Sequence, residues 1–337
     1  MPTLSVVIPT YNRARLVVEA VESVLAQQGD VRPEIVVVDD GSTDGTRAAL
    51  ERYTGRILYV HQPNAGMNAA RNAGIRASGG DCVAFLDCDD AWLPFKAELQ
   101  LAVMERLPGA GFAFSNFFAW RNGERTPDGL GRWMVPGECI ERHARRSRSS
   151  TELGIASPRP FAVHECDIYR LSLYQPVVLP STSVVRRSVL AALGPLPEDN
   201  WMCGDWEYFA RASREFGAAY IDIETTLNRS HDDAVRLMRR PLADRTRQRI
   251  ASIRRTWRAD AGFMDRFATE VDRVEAAEWR TLFKQTCYEG DLAQAGDQLR
   301  EIERLSGSAS TGLRLLGWSM RVPLARRCVA AIRKSAG

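Results

Sequence analysis

Three carboxylates fall within four positions at Asp87-Cys88-Asp89-Asp90, directly after the apolar run Val83-Ala84-Phe85-Leu86. Such a run reads as a buried strand, so the acids stand at its carboxyl end. Carboxylates this close repel one another, and the crowding needs a reason. In an open α/β sheet the ligand crevice lies at the carboxyl ends of the strands, where Asp-x-Asp can hold a hard divalent cation through oxygen ligands. The cation could then clamp a diphosphate that bare carboxylates would repel. Taken alone, the same residues are more often a solvated acidic turn capping a helix, so the flanking sequence carries the decision.

Earlier strands supply a frame for these acids. Leu4-Ser5-Val6-Val7-Ile8-Pro9 is a buried strand closed by proline and followed by Thr10-Tyr11-Asn12-Arg13. Over 13–28, Leu16, Ala20, Val21, Val24 and Leu25 recur at helical spacing, and Gly29 ends that helix. A β-branched strand, Glu34 to Val38, then runs into Asp39-Asp40-Gly41-Ser42-Thr43-Asp44, where Ser42 or Thr43 can cap a helix reaching about Arg52. A third strand, Ile57 to His61, precedes Asn64-Ala65-Gly66 and Ala70-Arg71-Asn72-Ala73-Gly74, a small-residue loop and helix able to approach the sheet or a ligand closely. This alternation predicts a parallel α/β sheet with Asp39-Asp40 and Asp87-x-Asp89 both at strand carboxyl ends.

Beyond Pro94 a helix is expected to about Leu107, then a mixed aromatic strand from Gly111 to Trp120. Over 121–160 the hydrophobic period fades and Gly, Pro, Ser and Arg dominate, which predicts a long insertion or mobile loop. Order returns at 177–186. Gly204-Asp205-Trp206-Glu207 opens a helix to about Phe216, with Asp205 near its first turn, where the dipole favours an ionised carboxylate. A strand at Ala219 to Ile223 follows, and from about Asp244 the chain reads as helical over 244–258, 263–288 and 291–305. The expected division is a catalytic domain over 1–235 and a helical C-terminal extension over 236–337.

The 337 residues are 45% hydrophobic and 26% charged, ordinary for a soluble globular protein, and a net charge of +3 is too small to argue for a nucleic-acid partner. Seven scattered cysteines without a Cys-x-x-Cys pair suit reduced thiols better than a disulfide frame or a zinc site. Leu4 to Ile8 is too short for a secretory h-region, and no apolar run reaches about 18 residues, so a cytoplasmic location is expected. The tail over 312–334 is basic and amphipathic, with Trp318 among leucines and with six cations and no acid from Leu313 to Lys334. That pattern favours a helix lying on an anionic membrane, at the inner face of the cell membrane, over the alternative of a helix docked on the catalytic domain with its arginines facing water.

Taken together, Ser5-Val6-Val7-Ile8-Pro9-Thr10-Tyr11-Asn12, Val37-Val38-Asp39-Asp40-Gly41-Ser42, the 64–74 stretch and Phe85-Leu86-Asp87-Cys88-Asp89-Asp90 resemble the family 2 glycosyltransferases of GT-A fold, the bacterial cell-surface glycan type. Ser181-Thr182-Ser183 and Gly204-Asp205-Trp206-Glu207 extend the resemblance to about residue 235. It implies a Rossmann-like sheet that binds a nucleotide-diphospho-sugar, with helices on both faces. The implied reaction is inverting transfer of a sugar, from a UDP-sugar by preference, to a hydroxyl of a saccharide or lipid-linked glycan with Mn2+ or Mg2+. By position, Pro9, Thr10, Tyr11, Asp39, Asp40 and Arg71 would hold the nucleotide, and Asp87 and Asp89 the metal and diphosphate. Asp205 would be the general base, with Glu207 the fallback because Gly204 stands where many relatives carry a second acid. His231 falls where some relatives place a metal or diphosphate contact. The competing readings are an inactive GT-A-like module that binds a glycan or a partner, and a sugar nucleotidyltransferase. The second would want a glycine-rich phosphate loop with a basic residue after the first strand, which Pro9-Thr10-Tyr11-Asn12 is not.

Overall fold

The computed structural model describes residues 1–121, 123–229, 240–289 and 291–307, and the chain forms two compact units, Met1–Asp232 and Asp233–Gly337. The first opens with the alternation that hydrophobic spacing predicts: β1 (Leu4–Thr10), α1 (Ala14–Leu25), β2 (Glu34–Asp39), α2 (Thr46–Leu50), β3 (Leu58–His61), α3 (Met67–Ala77) and β4 (Cys82–Phe85). It continues through β5 (Ala91–Trp92), α4 (Lys96–Arg106), β6 (Phe112–Arg121), β7 (Glu124–Thr126), α5 (Gly129–Trp133), β8 (Ala144–Ser149) and β9 (Ala162–Cys166). The last elements are α6 (Tyr169–Ser172), β10 (Ser183–Arg186), α7 (Arg187–Leu193), α8 (Gly204–Phe216) and β11 (Ala218–Arg229).

Among the described residues eleven strands form one sheet in the order β3-β2-β1-β4-β10-β6-β11-β9-β8, with β5 paired to β11 and β7 to β6. The first four strands are parallel, β10 runs against β4 and β6, and β11 is parallel to β6. The carboxyl ends of β1, β2, β4, β6 and β11 therefore share one edge with the start of β10. Side chains alternate across the sheet as the pleat demands: Val6 and Ile8 pack with Val17, Val21 and Leu99 on one face, Val7 with Ala70 and Ala73 on the other. Each fully buried Val or Ile contributes about 1.5–3 kcal/mol of transfer free energy. A Cβ at Gly74 would run into the Val7 side chain and lie 3.2 Å from Val38 Cγ2, so glycine there lets α3 lie directly on β1 and β2.

The stretch 121–160 departs from the expected loop. It contains β7, α5 and β8, and β8 pairs antiparallel with β9 at the sheet margin. No residue of β8 is buried, so an edge strand of this kind carries no hydrophobic period for a sequence reading to detect. Its arginines instead pair along the strand: Arg145 with Asp167 at 3.0 Å and Arg148 with Glu165 at 3.1 Å. Ser147 Oγ and His164 Nδ1 stand 2.8 Å apart, so His164-Glu165-Cys166-Asp167 is strand and strand end. β11 likewise runs to Arg229, well past Ile223, because its polar residues are matched in the core: Ser115 Oγ and Thr225 Oγ1 lie 2.6 Å apart.

The second unit holds α9 (Leu242–Ile253), α10 (Ala261–Glu289) and α11 (Leu292–Ser306). Phe283, Cys287, Ala295 and Ile302 form one apolar cluster, and Ala243, Ile250 and Leu282 another. Glu275 is fully buried and accepts from Arg254 and Arg258, each at 2.6 Å, which lowers its pKa below the usual value against the pull of burial. Among the described residues no helix is long and apolar enough to cross a membrane, and the six cysteines are free. The basic tail over 312–334 lies outside the described residues.

Candidate active site

The site is built around one helix. In α3, Asn68, Arg71 and Asn72 sit three and four positions apart, so they share a face, and the helix positions between them are small. Arg71 is 2% exposed; its Nη2 donates to Asp87 Oδ1 at 2.6 Å and its Nη1 to Asn68 Oδ1 at 3.1 Å. Burial opposes the guanidinium charge, but Asp87, Asp205 and Asp89 outweigh it and raise the pKa of Arg71 above the ordinary arginine value. One buried cation thus neutralises the acid at the end of β4 and the acid in α8.

The same face holds the turn that delivers α8. Asn68 Nδ2 donates to the carbonyls of Pro197 and Asn200 at 3.0 and 2.9 Å. Asn72 accepts from Leu196 N and donates back to Leu196 O, both at 2.9 Å. The turn leads into Gly204 and Asp205. A Cβ on Gly204 would collide with the Asn68 amide and lie 3.0 Å from Pro197 O, so the glycine makes room for the helix-to-turn contact. Asp205 is half-buried in the first turn of α8, and Trp206 N donates to its Oδ1 at 2.7 Å. Burial raises the Asp205 carboxyl above the usual value, with the Asp87 charge adding, while Arg71 and the Trp206 N–H restrain the rise. Glu207, one turn position further, is buried and accepts from Asn200 Nδ2 at 3.2 Å.

After β4 the chain turns, with Asp90 N donating to Asp87 O at 2.9 Å, and leaves Asp87 and Asp89 partly exposed while Asp90 is buried. Asp90 ties three elements together. Ser181 Oγ donates to its Oδ2 at 2.6 Å, and Asn228 Nδ2 and Arg229 N, at the end of β11, donate to its Oδ1 at 3.1 Å each. Asp87 N donates to Ser181 Oγ at 3.1 Å, so one hydroxyl serves both acids. Trp92 Nε1 fixes the Ser181 carbonyl at 2.9 Å and Gln100 Nε2 the Thr182 carbonyl at 2.7 Å. Burial, then Asp89 and Asp87, push the Asp90 carboxyl well above its usual pKa. Because the folded value is raised, ionisation of Asp90 weakens the fold as pH climbs from about 4 through that value. Asp90→Asn keeps an acceptor without the charge and should unfold at or above the wild-type temperature in chelator at pH 8, with a smaller gain at pH 5. Asp90→Ala leaves Arg229 N–H and Asn228 unmatched and should lose about 1–3 kcal/mol in thermal or urea unfolding.

The residues expected to hold a nucleotide line the same edge but are engaged to different degrees. Pro9 is buried, and β1 pairs with β4 only as far as Val7, so its missing N–H removes no ladder bond on that side. Thr10 is buried and its carbonyl accepts from Asp40 N at 2.9 Å, whereas Tyr11 is 37% exposed. Both oxygens of Asp39 have protein donors: Ser42 N at 2.8 Å and the Tyr59 hydroxyl at 2.7 Å. Asp40 accepts from Gln62 Nε2 at 2.7 Å, Ala65 N at 2.9 Å and Gly66 N at 2.8 Å, which shapes the loop leading into α3. The expected hydroxyl cap on α2 differs too: Asp44 accepts from Thr46 N at 3.0 Å, and Ser42 Oγ accepts from Asn12 N at 2.9 Å. His231 lies outside the described residues.

Sequence reading missed Asn68, Ser181 as an acid-holding hydroxyl, and Asp90 as a tie. The Asn68 signal was present, a polar i−3 neighbour of Arg71 in a helix of small residues, but its partners lie far along the chain. For a cation, no group of three or more His, Cys, Asp or Glu among the described residues could hold a metal. The protein supplies two carboxylates at the turn, Asp87 and Asp89. That donor set fits Mg2+ or Mn2+, which keep water ligands and take one or two carboxylates together with substrate phosphates.

The sequence model described as Glycosyl transferase family 2 matches residues 5–176. An uncharacterized glycosyltransferase of Rickettsia felis is 45% identical over 104 residues, 30% of this chain and 17% of that protein. The putative teichuronic acid biosynthesis glycosyltransferase TuaG of Bacillus subtilis is 38% identical over 122 residues, 34% of this chain and 47% of that protein. The chain thus spans less than half of these relatives' length. Among solved structures, residues 1–349 of S. aureus TarS in complex with UDP superpose with a TM-score of 0.58 at 17% identity, over 99% of this chain and 92% of that one. At that identity the likeness speaks for the fold, a GT-A sheet followed by helices. Half of the chain, including both acid-bearing strand ends and α3, falls within the family match, and the protein belongs to glycosyl transferase family 2.

Proposed function

We propose that this glycosyltransferase moves a sugar, with inversion, from a UDP-sugar to a hydroxyl of a saccharide or lipid-linked glycan, using Mn2+ or Mg2+. The observation that carries this reading is the placement of Arg71, which bonds Asp87 and interacts electrostatically with Asp89 and Asp205. In this scheme Asp89 and the second oxygen of Asp87 face the diphosphate, and the cation they would hold would stabilise charge developing on the leaving group. Asp205 takes the proton of the attacking hydroxyl, and its raised basicity suits that task. Thr10, Tyr11 and Pro9 border the nucleotide, with exposed Tyr11 placed for contact. Asp39 and Asp40 shape the walls through the backbone donors they hold. UDP is the proposed base-bearing half because it occupies the structurally similar TarS. The work is placed in the cytoplasm, at the inner face of the membrane, where the basic tail would meet anionic lipid.

A thermal-shift series tests the reading, with UDP, dTDP, GDP, CMP and ADP each with and without Mn2+ on wild type and Asp89→Ala. A ligand at about a hundred times its Kd stabilises the folded state by about 2.7 kcal/mol. UDP with Mn2+ should give that shift, and Asp89→Ala should remove it. Well-folded protein that no diphosphate stabilises under either condition would sink the proposal.

A further inference from the structure

The second unit contains a cavity of about 490 Å³ lined by residues of α9, α10 and α11 and by Arg254, which directly follows α9. Four arginines reach it, Arg247, Arg254, Arg300 and Arg304, together with Trp279 and Gln298, against two acids, Asp297 and Glu301. Each arginine already has an acid partner: Glu301 accepts from Arg254 at 3.3 Å and from Arg304 at 2.8 Å, Asp297 pairs with Arg300, and outside the lining Asp244 pairs with Arg247 at 3.0 Å and Glu275 with Arg254 at 2.6 Å. Arg254 also lies over the Trp279 ring, 5.3 Å from its centroid, while Trp279 Nε1 donates to buried Glu275 at 3.2 Å. The indole is therefore fixed at its polar end, with part of the ring forming the cavity wall. Gln298 is 3% exposed; its Nε2 donates to Thr286 Oγ1 at 3.0 Å, and its buried amide oxygen accepts no hydrogen bond. Turned over, the amide would leave an N–H unmet instead.

We propose that this cavity is a second binding site, separate from the transferase centre, for an anionic saccharide: a sugar or polyol unit bearing a carboxylate or a phosphate. Each feature answers one part of that chemistry. Guanidinium forks match carboxylate and phosphate oxygens in pairs, and each arginine has five N–H donors, more than its acid partners take up. An aromatic wall with a few fixed polar groups is the usual lining of a small-molecule site. The unmet amide oxygen needs a donor, which a sugar hydroxyl supplies while the ring lies against the indole; inorganic phosphate also carries an O–H near neutral pH but has no ring to set on that wall. Arg300 and Arg304 are 73% and 54% exposed, so the anion is held near solvent and its binding weakens with salt. The inference stands on this unit alone and does not depend on the transferase reading.

The test is isothermal titration of the full chain at low salt, in chelator, with glucuronate, glucose 6-phosphate, glucose and inorganic phosphate. Glucuronate or glucose 6-phosphate should bind, and glucose and inorganic phosphate should each bind at least about tenfold more weakly, a difference of about 1.4 kcal/mol. Arg300→Ala/Arg304→Ala, at exposed positions that leave the helix core intact, should weaken the charged sugar by about tenfold or more, while Asp89→Ala leaves its constant unchanged. Which charged sugar binds tells carboxylate from phosphate. The proposal is overturned if neither charged sugar binds, if inorganic phosphate binds equally well, if the double variant binds like wild type, or if Asp89→Ala abolishes binding and so places it at the other unit.

Discussion

Asp205→Asn is expected to lower kcat by about 10²–10⁴-fold, the range typical of removing a positioned general base, with little change in the thermal shift given by nucleotide and metal. Glu207→Gln, the matched control, should keep most activity, because Glu207 is 5% exposed and occupied by the Asn200 amide, whereas Asp205 is half-buried at the helix start. The pH dependence separates the two as well. Burial raises the Asp205 carboxyl, so kcat/KM should fall with acid through a limb lying above the ordinary carboxylate value of about 4. A cation bound beside it would draw that limb down towards the ordinary value. The same raised pKa means that the ionised carboxylate weakens the fold once pH exceeds the unfolded value, so Asp205→Asn should unfold at or above the wild-type temperature at pH 8. Loss of activity with normal or improved stability marks a chemical role. If Asp205→Asn retains more than about a tenth of the wild-type rate and Glu207→Gln does not, the base is Glu207.

What the sequence revealed follows from how each signal arises. Buried parallel strands are continuous apolar runs, and so β1, β2 and β4 were plain to see, as was the small-residue helix α3 that their packing requires. The acids were legible because crowding of like charge is itself unusual. Two things were not. β8 is the edge strand and β9 its neighbour, and their polar side chains pair with each other, Arg148 with Glu165 and Ser147 with His164, so the hydrophobic signal of the pair reduces to Val163 and Cys166 of β9. The roles of Asp39, Asp40 and Asp90 were hidden for another reason. A carboxylate looks the same in sequence whether it faces a ligand or accepts three backbone and side-chain donors, and only the fold brings Ala65 N, Gly66 N and Gln62 to Asp40. Of the five aspartates at the two strand ends, three hold loops, and the proposed ligand contacts fall to Asp87, which also bonds Arg71, and Asp89.

That division makes Arg71 the residue on which both halves of the site depend, and Arg71→Ala should have the largest combined effect. Breaking a buried pair by removing one partner costs about 3–5 kcal/mol, because the other charge is left uncompensated. Here Asp87 loses a donor at 2.6 Å, Asn68 one at 3.1 Å, and Asp89 and Asp205 lose a buried opposing charge. The Asp205 carboxyl, already raised, should rise further. Carboxylates with raised folded-state values destabilise the fold when ionised, so the gap between Arg71→Ala and wild type should be smallest near pH 4–5 and widen towards pH 8. Urea unfolding at the two pH values measures it, and a gap that does not change with pH would assign the loss to the vacated volume alone. Asp87→Asn in the Arg71→Ala background distinguishes charge from packing again. With the orphaned carboxylate neutralised, the double variant should recover part of the loss, giving a coupling free energy of about 0.5–3 kcal/mol in a double-mutant cycle. UDP and Mn2+ binding is read in Arg71→Ala alone, which keeps the Asp87 carboxylate: loss of the ligand-induced thermal shift in that variant, at a pH where it is folded, would place Arg71 in ligand capture as well as in the fold.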